Sequence, residues 1–96
     1  MHSKEDLIYL AGFTDGEGFI GEVKRWKRPS KSFQIRISNT NPVILEWIKE
    51  IFGGTIYSLK TKNSKHSPAW QWWIADKKAR ELYVELKPYL KIKNTL

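Results

Sequence analysis

Asp15-Gly16-Glu17-Gly18 sets two carboxylates among glycines where the first apolar-periodic segment of the chain ends. The end of a helix is negative, so each carboxylate there is unfavourable by roughly 0.3–1 kcal/mol. A divalent cation would reverse that sign. Mg²⁺ takes carboxylate oxygens, waters and substrate phosphates. One such site per chain makes a poor cage, whereas two copies meeting at this helix would bring two together. The same composition also suits an ordinary solvated turn. Lys93 lies in a basic tail from Lys87 to Lys93 and, by itself, reads as a surface lysine.

Composition narrows the chemistry. The 96 residues suit one domain, 1–96, with a thin core, and the chain has no cysteine. Disulfides, thiolate zinc sites and a cysteine nucleophile are therefore excluded. Seventeen Lys and Arg against ten Asp and Glu leave a net +7, an excess that favours polyanions through counterion release. No apolar run approaches the ~18 residues of a membrane span. Met1 to Asp6 lacks the order of a signal peptide. The expectation is an intracellular protein, cytoplasmic or encoded by an organelle or phage, that is neither secreted nor membrane-bound.

The elements that must hold these residues follow from periodicity. A helix is expected from Lys4 to Gly16, with Ser3 and Asp6 as a capping pair, Leu7, Ile8, Leu10 and Ala11 as its apolar face, and Gly18 as a left-handed cap. Gly12 and Gly16 share one face of it and cost roughly 1 kcal/mol each against Ala, so a second helix backbone should approach there. Strands are expected at Phe19–Lys27 and Phe33–Ser38. In the second, Phe33, Ile35 and Ile37 alternate with Gln34, Arg36 and Ser38. Asn41-Pro42 opens a second helix with Ile44, Leu45, Ile48 and Ile51 inward, and Gly53-Gly54 ends it. Further strands cover Thr55–Thr61 and Trp70–Ala75, joined by a polar loop, Lys62 to Ser67. Asp76 is expected to cap a last helix that carries Ala79, Leu82, Tyr83 and Leu86 and breaks at Pro88. This is an α+β chain, α-β-β-α-β-β-α. Its four-stranded antiparallel sheet has helices on one face and an open saddle suited to a DNA groove on the other.

On that open face Gln34 and Arg36 are the leading base readers, because Gln pairs with adenine and Arg with guanine. Lys24, Arg25 and Lys27 on the first strand join them, although irregular alternation leaves open which of these face a groove. Lys60, Lys62 and Gln71 complete the DNA-binding set. Trp70, Trp72 and Trp73 could stack on bases but read better as packing. His2 and the isolated His66 receive no role.

Leu10-Ala11-Gly12-Phe13-Thr14-Asp15-Gly16-Glu17-Gly18 resembles the nine-residue signature of the LAGLIDADG homing endonucleases. It departs at Phe13 and Thr14 and carries Glu as the final acid. Ser38-Asn39-Thr40-Asn41, Phe52-Gly53-Gly54 and Leu86 to Lys93 look like further family blocks, in order. The resemblance implies a Mg²⁺-dependent, site-specific endonuclease acting on a palindromic or pseudo-palindromic double-stranded target. Glu17, with Gly16 beside it, would be the metal site. Lys93 would be the basic active-site residue, and Ser38 or Asn39 the polar one, with the register open. A single signature implies a homodimer joined through Leu10, Ala11, Gly12, Phe13, Asp15 and Gly16. Family members usually continue into further helix, so a very small or shortened member is expected. A member without cutting activity, serving as an RNA maturase or DNA-binding regulator, is the alternative. A basic module without metal chemistry is another.

Overall fold

The computed structural model describes residues 2–25, 27–59 and 69–94. Helix α1 covers Lys4–Glu17, strands β1 and β2 cover Gly18–Lys24 and Lys31–Asn39, and α2 covers Pro42–Phe52. Strands β3 and β4 cover Thr55–Leu59 and Ala69–Ala75. Helix α3 covers Asp76–Leu86 and runs into a 3₁₀ turn, Lys87–Tyr89. The α+β order expected from the sequence is the order observed.

The four strands form one antiparallel sheet in the order β1-β2-β4-β3. Ile20 pairs with Ile35 and Ile35 with Ile74, while Ile37 pairs with Trp72 and Trp72 with Ile56. Directly opposed residues share a face, so these side chains line one side of the sheet. All three helices pack there. Leu7, Leu10 and Ala11 of α1, Leu45, Ile48 and Phe52 of α2, and Ala79, Leu82, Tyr83 and Leu86 of α3 join them in one core. Among the described residues the opposite face has no helix over it. It carries Phe19, Gln34, Arg36, Ser38, Thr55, Tyr57, Gln71 and Trp73 by register.

Local chemistry explains most boundaries. The Ser3 hydroxyl accepts the Asp6 N–H at 3.2 Å and starts α1. Asn41 Oδ1 accepts the Val43 N–H at 3.0 Å and starts α2. Gly53 and Gly54 end α2 at φ +81° and +93°. A Cβ on Gly54 would stand 2.6 Å from Trp72 Nε1 and 2.7 Å from the Trp73 carbonyl oxygen. The Trp72 indole, wholly buried, donates to the Gly53 carbonyl at 2.7 Å. Trp72 is thus core, as expected.

Several local expectations are corrected. Ile8 is 47% exposed. The inward stripe is Leu7, Leu10, Ala11 and Thr14, which keeps the 3.6-residue period, and the buried Thr14 hydroxyl is satisfied by the Leu10 carbonyl at 2.6 Å. Gly18 is extended, at φ −108°, rather than left-handed. It is small because a Cβ there would press Thr14 and the Arg36 carbonyl at 3.0 and 3.1 Å. Asp76 does not cap α3. It sits at φ +57°, and its carboxylate accepts from Ser32 Oγ and Arg25 Nη2, both at 2.9 Å. Strand β1 stops at Lys24, short of Lys27, which has φ +56° in the following turn. His2 is pinned to α3, its Nδ1 2.9 Å from Glu85 Oε2 and its ring 4.7 Å from that of Phe52.

Candidate nuclease cleft and DNA-facing sheet

Glu17 is the last residue of α1, and its exposed side chain meets the end of β2. Glu17, Ser38, Asn39, Thr40 and Ala69 line a cleft of about 450 Å³. Three of the four residues expected to be catalytic thereby converge, although twenty-one positions separate Glu17 from Ser38. The two polar candidates at the strand end differ in their bonding. Ser38 lies on the open face and its hydroxyl accepts from Gln71 Nε2 at 3.1 Å. Asn39 lies on the helix side by alternation, and its Oδ1 accepts the Asn41 N–H at 2.8 Å, which turns the chain into α2.

Lys93, the fourth, comes to α1 along another route. Its ammonium donates to the Asp15 carbonyl at 2.6 Å. A cation on the last carbonyls of a helix is favourable. The Asp15 carboxylate holds the segment behind it, accepting from the backbone N–H groups of Lys91, Ile92 and Lys93 at 2.6, 3.2 and 3.0 Å. Burial opposes the Asp15 charge. The three N–H bonds and the Lys93 ammonium outweigh it and hold the carboxyl below its ordinary range. The tail is therefore anchored at the helix that carries Glu17.

The six residues expected at a helix-to-helix contact are placed in different ways. Leu10 and Ala11 are wholly buried in the chain's own core. Gly12 and Gly16 are exposed, and a Cβ on either would meet nothing within 4 Å. Phe13 is half-buried against Tyr9, with ring centroids 6.3 Å apart. Beside the glycines, Ile8 and Tyr9 are 47% and 52% exposed. Nothing among the described residues requires these glycines to be small. Asp15 is occupied by the tail.

On the open face, Arg36 lays its guanidinium over the Phe19 ring, 4.7 Å from the centroid. That stacking presets the direction of the fork. Gln34 donates to Ser32 Oγ at 3.4 Å. Arg25 is ion-paired with Asp76 at the edge of the sheet. Lys24 pairs with Lys31 and by alternation shares the side of Ile20, not the open face. Lys27 is exposed in the turn. Lys60, Lys62 and His66 lie outside the described residues. The sequence reading did not single out Tyr57, which stands opposite Gln71 and donates to its Oε1. Nor did it place Trp73 on the open face. Alternation could have put Tyr57 beside Thr55, but only the β3–β4 register matches it to Gln71.

Residues 10–95 match the sequence profile described as LAGLIDADG endonuclease. No curated protein sequence matches the chain. Among solved structures, the fold is similar to the archaeal intron-encoded homing endonuclease I-Vdi141I complexed with DNA, with TM-score 0.73 and 20% identity over 95% of this chain and 61% of that one. It is also similar to the LAGLIDADG meganuclease I-CpaMI bound to uncleaved DNA, with TM-score 0.68 and 19% identity over 92% of this chain and 32% of that one. For I-AabMI, likewise bound to uncleaved DNA, the TM-score is 0.65 and the identity 26%, over 88% and 30%. The chain thus spans under two thirds of the length of each. The profile takes in the second half of α1, both strand pairs and the anchored tail, and the chain belongs to the LAGLIDADG endonuclease family.

Proposed function

We propose that this chain is a site-specific double-stranded DNA endonuclease, residues 1–96 forming one such domain, that works as a homodimer with a divalent cation, Mg²⁺ by its ligand chemistry. The observation that carries this reading is the cleft at the end of α1, where Glu17 meets Ser38 and Asn39 next to an unpartnered glycine face. Two copies packed through Gly12 and Gly16 would set their helix ends side by side and bring two Glu17 carboxylates together.

The donor set suits Mg²⁺ because it is all oxygen: the Glu17 carboxylate and the helix-end carbonyl of Gly16, with phosphate oxygens of DNA completing it. Among the described residues no group of three His, Cys, Asp or Glu forms within one chain, so pairing is integral to the reading. When bound, the cation supplies an activated water and neutralises charge on the reacting phosphate. The chain's own residues do the rest. Glu17 holds negative charge at the helix end. Lys93, whose ammonium is held on the Asp15 carbonyl, would offer positive charge beside this helix end to stabilise the transition state. Ser38 and Asn39 offer hydrogen bonds at the cleft wall. Gln34 and Arg36 on the open sheet face read base edges of a palindromic or pseudo-palindromic target, with Lys27 near the backbone.

The test is plasmid linearisation. A target is first selected from a supercoiled plasmid library with randomised inserts, in Mg²⁺. Glu17→Gln keeps size and removes the charge, so it should abolish linearisation while DNA affinity, measured in Ca²⁺, stays the same or rises slightly. A wild-type cutting rate in Glu17→Gln would refute the metal site. Tight, selective binding without any cutting by the unmodified protein would favour a DNA-binding regulator, and protection of folded intron RNA a maturase.

A further inference from the structure

One line of side chains crosses the open sheet face from its edge to the cleft. Tyr57 of β3, Gln71 of β4 and Ser38 of β2 occupy directly opposed positions in three neighbouring strands. The Tyr57 hydroxyl donates to Gln71 Oε1. Gln71 Nε2 donates to Ser38 Oγ at 3.1 Å. Ser38 lines the cleft with Glu17. The amide has one oxygen and one nitrogen, and each end is engaged by a different neighbour.

We infer that Tyr57 and Gln71 are positioning residues for cleavage, which fix Ser38 as a hydrogen-bond donor into the Glu17 cleft. This rests on the endonuclease reading above. A serine hydroxyl has one proton and two lone pairs. With one lone pair held by Gln71 Nε2, the proton is left to donate toward the cleft, to a phosphate oxygen or a water. The Tyr57 hydroxyl favours this polarity, because a phenol donates better and accepts less well than the serine hydroxyl, and with its proton on Oε1 the amide nitrogen faces Ser38. Chained hydrogen bonds also polarise one another, so the bridge strengthens the Ser38 donor. Gln71 therefore acts through Ser38 and not as a base reader, although it lies on the face that meets DNA.

The substitution that separates the roles is Gln71→Glu. A carboxylate keeps the shape and still accepts from Tyr57, but it turns the Ser38 proton away from the cleft and onto itself. At saturating selected target in Mg²⁺, Gln71→Glu, Gln71→Leu and Tyr57→Phe should each lower kcat about tenfold, the scale of one hydrogen bond, with KM and base preference unchanged. None should lower it further in a Ser38→Ala background. Wild-type kcat in Gln71→Glu, effects that multiply with Ser38→Ala, or altered base preference at full kcat would overturn the assignment. A second measurement needs no cleavage. In DNA-free protein, Ser38→Ala and Tyr57→Phe should each shift the Gln71 side-chain amide resonances, and insensitivity to both would disprove the bridge. If the unmodified protein never cuts, the endonuclease reading fails and the rate role with it, while the amide spectra still report on the bridge.

Discussion

Asp15 and Glu17 sit two positions apart and do opposite things. Asp15 turns its carboxylate into three backbone N–H groups of the tail, whereas Glu17 remains exposed at the cleft. Hydrogen bonds to an ionised acceptor favour the charged form, hence the lowered Asp15 titration. The sign follows directly. A carboxyl whose folded value lies below its ordinary 3.8 contributes stability above that value and loses it as pH falls through the lower, folded one. Hydrogen-exchange protection of the 91–93 amides should therefore hold above the ordinary carboxyl value of 3.8 and fall away as pH drops through the lower, folded one. Asp15→Asn should weaken protection above the acid step and remove the step itself. A step of unchanged position and size in Asp15→Asn would assign the titration to another group. Because the same clamp carries Lys93, the variant should also slow cutting at neutral pH.

Elements depend on glycines for different reasons, and substitution separates them. Gly54 has both a left-handed φ and a neighbouring backbone carbonyl at 2.7 Å from a would-be Cβ. Gly54→Ala should cost ~1–3 kcal/mol from strained backbone alone, more with the clash, read as a lower midpoint in denaturant. A midpoint equal to wild type would mean that the α2–β3 turn can be rebuilt. Gly12 has open space and ordinary helical backbone. Gly12→Leu should leave the protomer folded, since leucine is a better helix former by roughly 1 kcal/mol. It should block close approach of a second α1, so sedimentation should report monomers with native circular dichroism. A tight dimer in that variant would move the contact elsewhere. The exposed Ile8 and Tyr9 flank the same face and would be covered by the same pairing.

At the scale of the whole molecule, the described helices all lie on one side of the sheet and leave a broad polar and aromatic surface on the other. With a net charge of +7 on each chain, binding should fall steeply with salt, the slope following the number of phosphates contacted. Arg36 is stacked on Phe19, and the proposed function makes it a guanine reader. Arg36→Ala should therefore keep the salt slope and relax preference at one base pair per half-site, at ~1–3 kcal/mol. A uniform loss on all sequences with a slope shallower by about one would make Arg36 a phosphate contact. Among the described residues no helix is long and apolar enough to cross a membrane.

The sequence by itself determined the element order, because apolar residues recur with period 3.6 in α2 and α3 and period 2 in β2, and because Ser3, Asn41-Pro42 and Gly53-Gly54 punctuate the helices by local chemistry. It also determined Glu17 and Lys93 as candidates, through blocks of adjacent residues that resemble a family. Partners distant along the chain were another matter. That Asp15 would clamp residues 91–93, that Asp76 would turn from capping α3 to Ser32 and Arg25, and that Tyr57 would meet Gln71 all depend on which strand lies beside which and in what register. Alternation fixes which residues share a face of one strand, and it is the same for every even shift between two strands. Only packing of the whole core selects one shift, and with it the side chains that stand opposite each other at the cleft.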